Sequence, residues 1–172
     1  MLELDICLEV AKSAALKAGK YLLENQGKKL KVLLNQGRDI KLQLDIDTEQ
    51  LIKDCLRSQS TFSILGEETG LSSDVGEFYW VVDPLDGTSN FLRDIPISCV
   101  SIALMQGLQP ILGVIYDFNH NDLYFGHLES KAFVNQVEII VSDYSEKSKS
   151  TLVTGIPART NYSDNEFKNM IN

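Results

Sequence analysis

The sequence has few cysteines, no long apolar run and no excess of basic residues, and each absence excludes a class of protein. Its three cysteines lie far apart in 172 residues, so neither a disulfide scaffold nor a cysteine zinc site is expected. No apolar stretch approaches the length of a membrane span, and the first residues are acidic where a signal peptide needs basic ones. We therefore predict a cytoplasmic protein without a membrane partner.

The composition is that of a folded domain. Hydrophobic residues make up 44% of the chain and charged residues 23%, and we expect one domain over residues 1–172. Apolar residues recur at helical spacing over residues 4–23, and a second helix is predicted over residues 48–57. Short β-rich runs cover residues 62–65, 78–82, 99–105, 111–116, 122–125, 132–134 and 151–153. This order predicts an α+β fold with a hairpin-rich sheet packed on helices.

The last residues predict a helix that begins near residue 163. Ser163 and Glu166 have the spacing of a capping box, and apolar residues follow at helical spacing. Because the chain stops shortly after this start, we expect it to be the N-terminal portion of a longer domain.

Negative charge is concentrated in the middle of the chain. Between Asp39 and Asp94 there are twelve acidic and four basic residues, so this stretch carries the whole net charge of −8. No basic stripe is present, and a nucleic-acid partner is not expected. Such an acidic stretch is either a solvated face or a set of metal ligands.

Two apolar runs each end in a carboxylate. Residues 62–65 lead to Glu67 and Glu68, and residues 79–82 lead to Asp83 and, three positions later, Asp86. Continuous apolar runs are typical of buried strands, so these acids should lie at the edge of the core.

The residues after Asp86 have the pattern of an anion site. Gly87 permits a tight backbone, and Thr88 begins a predicted helix whose free N–H groups favour a phosphate. Carboxylates for a hard cation beside amides for an anion indicate a metal-dependent phosphoester site.

Two other acidic motifs fit less well. An EF-hand loop starting at Asp45 would need Gly where Gln50 stands and Glu where Leu56 stands. The aspartyl-nucleophile motif of haloacid-dehalogenase-type phosphatases has one residue fewer between its acids than Asp83 and Asp86 have, and it remains a weaker alternative.

These motifs resemble those of the inositol monophosphatase family, the Mg²⁺-dependent, lithium-sensitive sugar-phosphate phosphatases. The acidic pair of the family matches Gly-Glu-Glu at residues 66–68, and its central motif matches residues 83–91 without a gap. Its upstream Asp, followed four residues later by Glu, matches Asp45 and Glu49. The resemblance implies a layered α/β sandwich of the inositol monophosphatase and fructose-1,6-bisphosphatase type, of which this chain would be the N-terminal part.

Two departures from the family pattern matter. Leu42 stands where many members have Thr, and the later Trp-Asp signature is absent from the sequence. Its Asp completes one metal shell in the family, so we expect weak phosphatase activity from these residues alone.

The resemblance implies a role for each site residue. Glu67, Asp83 and the Leu85 carbonyl resemble ligands of a first Mg²⁺, and Asp83 and Asp86 resemble ligands of a second; the family implies two or three ions, with Mn²⁺ as a substitute. Glu68 and Glu49 resemble outer partners of these ligands.

The catalytic roles follow from the same resemblance. The resemblance assigns the activation of a metal-bound attacking water to Asp45 and Thr88, assisted by Glu67, which would polarise this water and accept its proton. The amides of Gly87 and Thr88 would hold the phosphate. The implied function is hydrolysis of inositol monophosphate or a related small phosphorylated metabolite by a homodimer. Fructose bisphosphate, adenosine bisphosphate or NADP are alternative substrates, and a non-catalytic or regulatory chain is the alternative from another class.

Overall fold

A computed structural model describes residues 3–36, 39–72, 74, 76–143, 145–151 and 153. The chain divides into two compact units, Met1–Ile140 and Val141–Asn172. In the second unit the structure describes a short 3₁₀ helix, Lys147–Lys149. The helices and strands below belong to the first unit, and the helix predicted from residue 163 lies outside the described residues.

Three helices are present: α1 (Leu4–Asn25), α2 (Gln43–Arg57) and α3 (Thr88–Phe91). The prediction for α1 is confirmed, and Gly27, just beyond the end of this helix, has a positive φ of 73°. None of the helices in the described ranges combines the length and the apolar character that a membrane crossing requires.

The predicted start of α2 is wrong by five residues. The helix begins at Gln43, because the Asp45 carboxylate accepts the Leu42 N–H at 2.8 Å and satisfies a free amide of the first turn. The side chain of Leu42 has no hydrogen-bonding atom and cannot cap the helix, so the sequence shows no capping residue before α2.

The strands form a two-stranded hairpin and an eight-stranded sheet. The hairpin pairs β1 (Val32–Gln36) with β2 (Asp39–Leu42). The strands of the large sheet are β3 (Ser63–Gly66), β4 (Gly70–Leu71), β5 (Phe78–Asp86), β6 (Cys99–Gln106), β7 (Gln109–Asp117), β8 (Asp122–His127), β9 (Ala132–Val134) and β10 (Val137–Ile139). They lie in the order β10-β9-β8-β7-β6-β5-β3-β4. The predicted α+β class is thereby confirmed.

Six of the seven predicted β-rich runs are strands. The pattern did not predict β1, β2, β4 or β10, which are two to five residues long and too short to give a clear period. The run at 151–153 is not confirmed, since Thr151 and Val153 lie in no strand.

The core lies between the two long helices and one face of the large sheet. Small residues of α1, among them Ala11, Ala14 and Ala18, are completely buried and let the helix approach the sheet closely. Trp80 is the largest side chain of this core; it is fully buried, and its indole N–H donates to Ser60 Oγ at 3.3 Å.

One strand pair positions the site. β3 runs parallel to β5, with Gly66 beside Val82, whereas the other pairs of the sheet are antiparallel. The carboxyl ends of β3 and β5 therefore meet at one edge of the sheet, and the acids that follow the two strands are brought together.

Gly19 tests how tightly α1 packs on the sheet. A Cβ at this position would lie 2.9 Å from Phe118 Cβ and would overlap the Tyr116 ring. We expect Gly19→Ala to lower the free energy of unfolding by up to about 2 kcal/mol, because overpacking costs about 1–3 kcal/mol and the better helix propensity returns about 1. Urea denaturation measures this change.

The matched control is Gly113→Ala in β7, where nothing lies within 4 Å of the added Cβ. We expect a change within about 0.5 kcal/mol for this variant. A stabilised Gly19→Ala protein would contradict the close packing of α1.

Candidate functional site

The end of β5 is bent so that two aspartates follow one another at the sheet edge. The register against β6 shifts between Asp83 and Asp86, which places Pro84 and Leu85 in a bulge. The Asp83 carboxylate accepts the Leu85 N–H at 3.1 Å and fixes this bend. Asp83 is half-buried and Asp86 is exposed.

Glu67 follows β3 at the same edge of the sheet. Its N–H donates to the Val82 carbonyl at 3.0 Å, which extends the parallel pairing by one residue and sets Glu67 beside Asp83. Three predicted metal ligands are thus brought together by one strand pairing and one bulge.

The crowding of these acids is visible in the acidity of Asp83. Its pKa is raised to about 8, first by burial, then by the hydrogen bond and negative charge of Glu67, and further by the charge of Asp86. A positive ion between them would remove this repulsion.

Asp45 contributes a buried carboxylate from the first turn of α2. The side chain is 1% exposed; Oδ2 accepts the Leu42 N–H, and Oδ1 has no hydrogen-bond partner among the described residues. Burial raises the pKa of Asp45 to about 7, and the charges of Glu68 and Glu67 act in the same direction. A buried oxygen without a partner is costly, so it marks a place where a ligand or water is expected.

The turn after Asp86 contains a glycine in the left-handed conformation. Gly87 has a φ of 87°, and a Cβ there would lie 2.7 Å from the Ile97 carbonyl oxygen, so glycine is required. The amides of Gly87, Thr88 and Ser89 donate to no acceptor within the part of the chain that the structure describes. Since α3 is a single turn, these free amides rather than a helix dipole favour a phosphate.

The Thr88 hydroxyl donates to the Leu85 carbonyl oxygen at 3.1 Å. Its partner in this structure is therefore the predicted metal-binding carbonyl and not Asp45. The short helix α3 packs beside β2, the strand that leads into α2, so Thr88 and Asp45 belong to neighbouring elements. Their joint role stays a prediction.

Glu49 and Glu68, predicted as outer partners, are joined by a hydrogen bond. Glu49 is fully buried in α2, and its Oε2 accepts the Glu68 N–H at 2.8 Å. Burial tends to raise the pKa of Glu49, but hydrogen bonds from Lys53, Thr69 and the Glu68 amide outweigh it and hold that pKa below its usual value. Glu49 is therefore an anion in the interior.

Two lysines that were not predicted take part in this arrangement. Lys53 contacts Glu49 Oε1 at 2.7 Å, and Lys41 contacts the Glu68 carboxylate and donates to its carbonyl oxygen at 3.1 Å. The acidic stretch from Asp39 to Asp94 contains four basic residues, and these are two of them. Basic residues are rare in this stretch, and Glu49 and Lys53 have the four-residue spacing of a helical ion pair. Both features could have indicated these lysines from the sequence.

Cys99 and His120 lie near Asp86. The Cys99 Sγ is 3.9 Å from Asp86 Oδ2, and burial with the nearby negative charges raises the pKa of the thiol to about 12. His120 pairs with Asp117 at 2.7 Å at an exposed turn, as a loop histidine would.

The donor set fits a hard divalent cation in its chemistry. No group of three or more His, Cys, Asp or Glu side chains within the described ranges is already arranged to hold a metal ion. Nevertheless the donors at the edge are all oxygens, burial and the acidic neighbours raise the pKa of Asp83, and Asp45 Oδ1 has no partner among the described residues. Oxygen ligands of this kind are those that Mg²⁺ and Ca²⁺ prefer.

The fold and the site define a layered α+β protein with carboxylates at the ends of a parallel strand pair and a glycine turn beside them. The model of the inositol monophosphatase family matches residues 3–171. The chain belongs to this family, and the resemblance noted in its motifs is confirmed.

Individual relatives agree with this assignment. The chain is 36% identical over 156 residues to the fructose-1,6-bisphosphatase/inositol-1-monophosphatase of Aquifex aeolicus, covering 89% of this chain and 59% of that protein. It is 36% identical over 154 residues to the inositol monophosphatase of Mesembryanthemum crystallinum, covering 87% and 57%.

Solved structures share the fold as well. The extragenic suppressor protein suhB of Bartonella henselae superimposes with a TM-score of 0.74 at 35% identity, covering 79% of this chain and 54% of that one. This chain thus spans less than two thirds of the length of the relatives it matches.

The glycine at position 87 gives a test of the anion loop. We expect Gly87→Ala to destabilise the protein by at least about 1 kcal/mol more than Gly107→Ala does. Both positions have a positive φ, but only at Gly87 does the added Cβ meet backbone atoms. Urea denaturation of the two variants isolates the steric cost, and equal destabilisation would contradict the close approach of the Ile97 carbonyl.

Proposed function

We propose that this chain carries the metal- and phosphate-binding part of a Mg²⁺-dependent phosphomonoesterase. The observation that supports it most is the crowding of carboxylates around Asp83, whose pKa is raised first by burial and then by Glu67 and Asp86. The charge of Glu67 also acts on the buried Asp45, which has an unpartnered oxygen. Acidic side chains are held together in this way where a cation is to be bound.

Glu67, Asp83 and the Leu85 carbonyl would hold one ion, and Asp83 with Asp86 would hold another. We propose two or three ions in all, with Mn²⁺ able to replace Mg²⁺ because it also prefers oxygen ligands. Bound divalent ions supply positive charge that stabilises the attacking and leaving oxygens of phosphoryl transfer. The Leu85 carbonyl accepts the Thr88 hydroxyl, which holds this oxygen in place at the turn.

The chain's own residues would position the phosphate and move a proton. The free amides of Gly87 and Thr88 point to a site for phosphate oxygens. Asp45 has a pKa of about 7, so it can accept a proton from the attacking water near neutral pH. Thr88 and Glu67 would orient that water with it.

The substrate class is a small phosphorylated metabolite, with inositol monophosphate as the first candidate. Two relatives are named inositol monophosphatases, and the name of one of them also includes fructose-1,6-bisphosphatase. Turnover should be assayed with inositol monophosphate beside fructose bisphosphate, adenosine bisphosphate and NADP. Since weak activity is expected from these residues alone, Mg²⁺ binding without turnover would favour a regulatory chain only if it is also seen in a protein extended to the length of the relatives. The homodimer, the lithium sensitivity and the cytoplasmic location stay predictions of the same proposal.

Removing one carboxylate tests the metal assignment. We expect Asp83→Asn to weaken Mg²⁺ binding by at least ~10-fold, since even residues that only support metal ligands contribute roughly 10–100-fold. Titration calorimetry on the protein without substrate measures the affinity. Asp54→Asn, which removes the same charge from an exposed position on α2, is the control. Equal affinity in the Asp83→Asn and control proteins would refute the assignment.

The substitution Asp45→Asn tests the role of the Asp45 carboxylate. If Asp45 accepts the proton, Asp45→Asn in a complete enzyme that contains these residues should reduce kcat by about 10²–10⁴-fold and change KM much less. Steady-state kinetics at saturating Mg²⁺ give both constants, and Asp47→Asn, on the exposed side of the same helix turn, serves as the control. A variant that mainly raises KM would move Asp45 into substrate binding.

A further inference from the structure

The turn at residues 67–69 joins β3 to β4 and carries Glu67 and Glu68. Gly66 pairs with Gly70 across this turn, so five consecutive residues reverse the chain at the edge of the sheet. Strand pairing fixes the two ends of the turn but not the direction of its acidic side chains. That direction decides whether Glu67 can act together with Asp83.

Glu49 reaches the turn from α2 and holds it at two points. Its Oε2 accepts the Glu68 N–H at 2.8 Å, and its Oε1 accepts the Thr69 hydroxyl at 2.5 Å. Any side chain at position 66 would overlap the Glu49 carboxylate, so the glycine before the turn is what lets Glu49 approach.

Lys53 is the counter-charge that makes this contact feasible. It is 4% exposed, one helical turn after Glu49, and its Nζ lies 2.7 Å from Glu49 Oε1 and also contacts the Thr69 hydroxyl. A buried ion pair adds little net stability compared with apolar residues of the same size. The buried Lys53–Glu49 pair is therefore better explained by the geometry that it imposes on the residues it contacts.

Of the three glutamates at this turn, Glu49 and Glu68 pair with lysines and Glu67 does not pair with a basic residue in the described part of the chain. Lys53 neutralises Glu49, and Lys41 neutralises Glu68 from β2. In the described part of the chain Glu67 forms no ion pair with a basic side chain, and its negative charge acts on Asp83.

We propose that Lys53 is a positioning residue of the site: through Glu49 it fixes the turn at residues 67–69, so that Glu67 faces Asp83 with its charge free. The proposal rests on the proposed function in that Glu67 is taken as a metal ligand. Without Lys53 the buried Glu49 carboxylate has no counter-charge. Glu49 then takes up a proton or turns away, and the hydrogen bond from the Glu68 N–H to Glu49 Oε2 is lost.

The test compares Lys53→Met with Lys53→Arg, which keeps the charge. Amide hydrogen exchange at the Glu68 N–H reports the turn without any metal. We expect exchange at this amide at least ~10-fold faster in Lys53→Met than in wild type and within about 3-fold of wild type in Lys53→Arg. Calorimetry with Mg²⁺ alone, without substrate, should give affinity ~10–100-fold weaker in Lys53→Met and nearly restored in Lys53→Arg.

The control is Lys12→Met, because Lys12 also pairs with a glutamate and lies over the Phe125 ring, but on α1. It should change neither readout. If Lys53→Met does not fold, Thr69→Val removes one hydrogen bond to Glu49 without changing charge, and the same direction of change is expected at the Glu68 amide.

The outcomes separate the two proposals. Unchanged exchange at the Glu68 amide in a folded Lys53→Met or Thr69→Val protein overturns the positioning role. Faster exchange with unchanged Mg²⁺ affinity, in a wild type that binds Mg²⁺, also overturns it. Faster exchange in a protein whose wild type binds no Mg²⁺ supports the hold of Lys53 on the turn and refutes the proposed function.

Discussion

Repulsion between acidic side chains brought to one sheet edge is the constraint on which this structure depends. The parallel pairing of β3 with β5 places Glu67 beside Asp83, and the first turn of α2 adds the buried Asp45 nearby. Burial raises the pKa values of Asp83 and Asp45, and the charge of Glu67 raises both of them further. Lys53 and Lys41 relieve the repulsion on one side of the turn only. Basic side chains therefore lie on one side of the turn, and the proposed metal ion would lie on the other.

Two glycines let polar groups of neighbouring segments approach closely at this edge of the sheet. Gly66 admits the Glu49 carboxylate, and Gly87 admits the Ile97 carbonyl. Glycine costs backbone entropy in the unfolded chain, and Gly87 in addition holds a left-handed conformation. These costs are typical of sites in which the geometry of polar groups, rather than stability, determines the residue.

Much of this site could be predicted from the sequence because its main motif is local. The apolar run before Asp83, the three-residue spacing to Asp86 and the glycine after it follow one another along the chain. The start of α2 could not be predicted, since its capping group is Asp45, inside the helix, and not a residue before it. The partners of Lys53 could not be predicted in full either: the spacing to Glu49 is visible, but the contact with Thr69 depends on how α2 packs on the strand edge. Local spacing determines which residues form the site, and packing between distant elements determines which charges remain free.

The departure at position 42 illustrates how packing changes a site without altering its acids. Leu42 is completely buried, and only its backbone N–H reaches the Asp45 carboxylate. A leucine side chain has no donor to offer, so Asp45 receives one hydrogen bond where a polar neighbour could supply a second. Burial raises the pKa of Asp45 to about 7, the single hydrogen bond from Leu42 opposes this rise, and a second donor would oppose it further. An apolar residue next to the site thus favours the proton-accepting role proposed for Asp45, because a carboxylate with fewer donors is a stronger base.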